Sequence, residues 1–207
     1  MEINSVSDFE AVLMSDFETL FGNCKRYKGV IRSLPEHLGV SNTSAVVEAS
    51  FDTGMNPEIL YPVLHFHVTL AQKIDVSLVP GILSGLNDLN TAISAGAFPS
   101  FGCFGYYPPL GQIYLSYRMP INDEHFDTEL KNVRYFLASL CEVLDLFADY
   151  ILFLCDDPGH LTLDDYMRYL DAVTDLNDLE YRLDELEKIL NRIPDENPKD
   201  SENGEKE

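Results

Sequence analysis

The chain has 207 residues, 45% of them hydrophobic, with 12 Phe and 11 Tyr and no Trp, which suits a folded protein of one domain with an appendage. At this length a chain buries roughly 70% of its unfolded surface, enough for a core without disulfides or metal. Thirty-five Asp and Glu against 14 Lys and Arg give a formal charge of -21, which repels phosphate backbones and argues against nucleic-acid and anionic-membrane partners.

Ser7-Asp8-Phe9-Glu10 has the form of a capping box, and Phe9, Leu13, Phe17 and Leu20 follow at helical spacing, widened by Val12 and Phe21. Gly22-Asn23 ends that helix. Residues 24–43 are ambiguous, with Tyr27 to Leu34 a candidate first strand. From Ser44 to Asp52 the chain alternates, Ala45, Val47, Ala49 and Phe51 against Val46, Glu48 and Ser50. Thr53 to Pro57 reads as a loop. Glu58 to Gln72 alternates again, with Pro62 placed near the strand start because it lacks an N–H for the ladder.

A helix is predicted from about Ser77 to Ser94, with Pro80 in its first turn and an apolar stripe of Leu78, Ile82, Leu86, Leu89 and Ile93. Asn87 and Asn90 flank the stripe and are expected to bond neighbouring backbone where helix meets sheet. An aromatic strand (FPSFGCFGYY) and a second strand (GQIYLSYRM) flank the turn Tyr107 to Gly111. In the second strand Ile113, Leu115, Tyr117 and Met119 face one way, and Tyr114, Ser116 and Arg118 the other.

From Phe126 to Leu154 apolar residues recur at alternating spacings of four and three, the seam of a long helix broken at Asp157-Pro158-Gly159. Thr162-Leu163-Asp164-Asp165 opens a last helix, with a second seam from Leu176 to Ile193 and a register shift near Asp175. The end, 194–207, carries six acids and two lysines and no apolar run, and is expected to be disordered; residues 1–193 keep a charge of -17.

This order predicts an α+β fold: one antiparallel sheet packed with helices, plus an extra C-terminal helix. The expected organisation is a domain over 1–158, a helical extension over 159–193 and an acidic tail over 194–207. The start has neither a basic nor an apolar leader region, and the longest apolar block is interrupted by Asp145 and Asp149, so a cytoplasmic protein without a membrane span is expected. The four cysteines are scattered, without a C-x-x-C pair, and read as reduced thiols.

A helix bearing Leu86-Asn87-Asp88-Leu89-Asn90, then a short aromatic strand, then a strand ending Arg118-Met119-Pro120, then a long helix, resembles the YbjN family over about residues 5–155. That family shares the fold of type III secretion chaperones, small acidic dimeric proteins, and its members are labelled sensory transduction regulators. The resemblance implies an α-β-β-β-α-β-β-α order and a protein-binding role, and brings no catalytic residues. The helix after Thr162 and the acidic tail lie outside its pattern.

Candidate chemistry is sparse. His65 and His67 share a strand face, but two imidazoles do not close a metal site. Asp156, Asp157, Asp164 and Asp165 miss the EF-hand spacing, and helix capping accounts for them. Ser100 sits in no nucleophile elbow, Cys141 and Cys155 fall on a buried helix face, and Gly96, Gly102 and Gly105 form no Walker loop. Tyr106, Tyr107, Tyr114 and Tyr117 with Arg118 would suit base stacking, which the negative charge opposes. No cofactor and no catalytic residue are predicted.

The expectation is a non-enzymatic, acidic protein-binding module, a homodimer like the chaperones it resembles. It would take a partner's apolar segment on the outer sheet face through Val63, His65, Tyr114 and Arg118. Two alternatives remain open: a homodimeric scaffold or sensory regulator joined through the helical seams, and a metal-dependent sensor at His65 and His67. The acidity itself reads as a device for solubility, or as a surface for basic partners.

Overall fold

The computed structural model describes residues 3, 5–52, 61–96, 102–159 and 161–174. The chain divides into two compact units, 1–163 and 164–207. The second is described only over 164–174, all helical. The predicted seam from Leu176 to Ile193, the acidic tail and the loop Thr53–Pro57 lie outside the described residues.

The first unit runs α1 (Val6–Phe21), β1 (Lys25–Tyr27), β2 (Val30–Ser33), β3 (Val46–Asp52), β4 (Val63–Ala71), α2 (Val79–Ser94), β5 (Cys103–Tyr107), β6 (Gln112–Pro120) and α3 (Phe126–Asp156). The strands form one antiparallel sheet in the order β1-β2-β3-β4-β6-β5, so the fold is α+β as expected. Among the described residues no helix is long and apolar enough to cross a membrane.

Local chemistry sets several boundaries. The N-cap of α1 is Ser5, whose hydroxyl accepts from the Asp8 N–H at 3.2 Å, two residues before the predicted Ser7. Phe9, Leu13, Phe17 and Phe21 line the buried side of α1, and Leu20 turns outward instead of joining them. The segment read as a single strand from Tyr27 folds back at Lys28-Gly29, where both residues have positive φ (50° and 78°), the requirement of a tight hairpin turn. That hairpin adds β1 and gives four strands between α1 and α2, one more than the resemblance implies. Ile121 donates its N–H to the Pro62 carbonyl at 2.8 Å, so Pro62 precedes its strand, where its missing N–H leaves no ladder gap.

The inner face of the sheet carries the core. Val47, Ala49, Leu64, Phe66, Val68 and Leu115 are all buried. Phe17 of α1 packs on Phe66 at 6.4 Å, and Phe136 of α3 lies 4.6 Å from Phe66 and 4.7 Å from Tyr117. Phe9 meets Phe51 and Phe126. Truncating such a ring to Ala costs about 3–5 kcal/mol. The α3 seam from Phe126 to Leu154 is buried throughout, its front on this ring cluster and its end against α2, where a Cβ added at Gly85 would sit 2.5 Å from Leu154.

The long loop between β2 and β3 is held by α3. Asp149, 2% exposed, accepts from the Val40 N–H at 2.7 Å and the Ser41 N–H at 3.1 Å. Asp145 accepts from the Gly39 N–H at 3.0 Å. Gly39 has φ 64°, and a Cβ there would fall 2.7 Å from the Asp149 carboxylate, so only glycine fits. The two acids that break the apolar pattern of α3 are therefore its grip on a distant loop.

Candidate interaction face

Alternation places one set of side chains on the sheet face away from α1 and α3. Register aligns them in rows: Val30, Ser50, His65 and Arg118; Arg32, Glu48, His67, Ser116 and Cys103; Val46, Thr69, Tyr114 and Gly105. Val63 sits at the next level, between Asp52 and Pro120. Val63, His65, Tyr114 and Arg118 thus lie on one face, the first three half-buried and Arg118 exposed. Tyr117, grouped with Tyr114 by composition, points the opposite way into the core.

The face is internally ordered. His65 Nε2 lies 2.9 Å from Ser116 Oγ. The His67 ring stacks on Tyr114 at 5.2 Å and 24°, and meets His65 edge-on at 6.1 Å. Gln112 donates to Thr69 Oγ1 and lies 3.3 Å from His67 Nε2, which fixes that nitrogen as an acceptor. Tyr114 lies over Gly105, where a Cβ would come 2.7 Å from the ring. A glycine on the edge strand thus leaves room for an aromatic ring from its neighbour.

Burial pushes the pKa of His65 below the usual 6.5, helped by the Arg118 and His67 charges and opposed by Asp52 and Glu48. Burial lowers His67 as well, against Glu48. Both rings are therefore neutral at pH 7, and the centre of the face presents aromatic surface with Arg118 beside it. Ser116, Gln112 and Thr69 were not singled out from the sequence. Ser116 and Gln112 share the alternating set with Tyr114 and Arg118, and Gln112 reaches diagonally to Thr69, the residue paired with Tyr114.

Metal and nucleophile chemistry finds little to build on. Among the described residues no three His, Cys, Asp or Glu side chains gather to hold a metal ion. Burial raises the thiols of Cys141 and Cys155 to about 11, which keeps them protonated and unreactive.

One sheet edge is closed. The Asn90 carboxamide of α2 accepts from the Phe104 N–H and donates to the Phe104 carbonyl, both at 2.8 Å, taking the place a seventh strand would fill. Comparison with protein-family models, with curated proteins and with solved structures finds no match to this chain.

Proposed function

We propose that this chain is a non-enzymatic, acidic protein-binding module that lays an apolar segment of a protein partner across the outer face of its sheet. One observation carries the reading: Val63, His65, Tyr114 and Arg118 share a face whose imidazoles are neutral and over which no described element of the first unit packs. Apolar and aromatic area beside an arginine is the composition of a binding patch. The surrounding negative charge keeps an occupied complex dispersed. The resemblance to the YbjN family and its secretion-chaperone fold supports the same class of role, in the cytoplasm. A second copy on the same face is the homodimeric form of this reading.

A photo-reactive amino acid at position 114 tests it, with one at the exposed helix position Lys131 as control. Cross-linking in lysate should yield a discrete adduct from position 114 that disappears with Val63→Asp or Arg118→Glu. Equal adducts from both positions would remove the assignment. Light scattering on the purified chain separates a second copy from a foreign partner.

A further inference from the structure

A second surface lies on the opposite side of the molecule, among α1, α3 and the β2–β3 loop. A groove of about 400 Å³ opens there. Leu20, Phe21, Leu38 and Leu144 supply its apolar lining. Its rim carries Glu36, Glu142 and Asp145, and no Lys or Arg is among the described residues that line it. The volume lies within the roughly 300–1,000 Å³ of built binding clefts.

Two features mark the groove as formed in advance. Its loop wall is tied to α3 by the three amide-to-carboxylate bonds of Gly39, Val40 and Ser41, so it does not depend on a ligand for its shape. Leu20 is 44% exposed although it occupies an apolar position of α1, because Phe21 fills the core position next to it. An exposed leucine beside an apolar cleft is an anchor point without its counterpart.

We infer that this groove docks a basic amphipathic segment of a protein partner, one that inserts an apolar side chain beside Leu20 and sets lysines or arginines against Glu36 and Glu142. Charge selects the occupant. An acidic or neutral apolar segment would place its flanks against three carboxylates with no cation among them, and a basic one meets complementary charge at each flank. The chain's charge of -21 also speeds the encounter with cationic segments. The inference is independent of the sheet-face reading, since it uses different elements and residues.

The test uses the full-length protein and a fluorescein-labelled synthetic peptide of alternating Leu and Lys in a helical pattern, read by anisotropy at physiological ionic strength. Glu36→Gln with Glu142→Gln should weaken binding about fivefold, the size expected for two partly exposed charge pairs. Leu20→Ser should weaken it about tenfold, as loss of a buried apolar anchor does. A control with the same change of net charge, Asp123→Asn with Glu124→Gln, should change it less than twofold. No binding, or equal effects in the groove and control variants, would overturn the proposal and assign any attraction to overall charge alone.

Discussion

The sheet ends in two different ways. At β5 a half-buried carboxamide, Asn90, occupies both backbone groups of Phe104. Among the described residues nothing comparable covers β1: Lys25, Arg26 and Tyr27 are exposed, and the strand is three residues long. Lys25, Arg26, Lys28 and Arg32 place four of the chain's 14 cations within eight residues there. Arg26 pairs with Glu10 and Arg32 with Glu48, both arginines substantially exposed. Both devices prevent edge-to-edge growth, one by covering the hydrogen-bonding groups and the other by brevity and charge. They differ in energy. Side-chain-to-backbone bonds that are partly shielded from water leave costly orphans when broken, whereas surface ion pairs contribute little.

That contrast predicts a ranking of variants. The largest loss should follow Asp149→Ala, which takes the buried carboxylate acceptor away from the Val40 and Ser41 amides: about 3 kcal/mol in chemical denaturation. An effect below 1 kcal/mol would show that water replaces the carboxylate and that the loop is not clamped. Asn90→Leu should cost about 2 kcal/mol and also expose the β5 edge, so that sedimentation shows concentration-dependent association. Unchanged sedimentation would mean that α2 alone covers the edge.

A smaller effect concerns the two histidines midway between the edges. Their folded pKa values are depressed, so the unfolded chain binds protons first. Their contribution to stability should be complete above about pH 6.5 and be lost as pH falls from there through the lowered folded values. The double variant His65→Gln, His67→Gln should flatten that part of the stability profile, which thermal unfolding across pH can read. The smallest effect should be Arg26→Ala, under about 1 kcal/mol and reduced further by salt. A loss matching that of Asn90→Leu would erase the distinction between the edges.

Much of the sheet is written in residue alternation. The opposite facing of Val47, Ala49 and Phe51 against Glu48 and Ser50 follows from a period of two, and so does the shared face of His65, Tyr114 and Arg118 once β4 and β6 pair. The α3 seam was equally legible, because a 31-residue helix repeats its pattern many times. The bond from Asn90 to backbone at the helix–sheet junction was expected as a type of contact, and the structure supplies the partner, Phe104. The rest depended on distant neighbours or on backbone sign. Asp145 and Asp149 interrupt an apolar run, and only a loop more than a hundred residues away gives them a purpose. Leu20 and Phe21 compete for one core position, which spacing alone does not decide. Lys28 gives no warning of a positive φ. On the candidate face, the four named residues came from alternation, but the Gln112–Thr69 pair and the fit of Tyr114 over Gly105 needed the register of three strands.

The clamp at Asp149 also imposes an order of events on a growing chain. Val40 and its carboxylate partner are 109 positions apart. At about 5–20 residues per second of synthesis, that separation corresponds to about 5–20 s. Throughout that interval the connection between the second and third strands lacks its anchor, and a nascent chain halted before α3 would expose three unpaired amides.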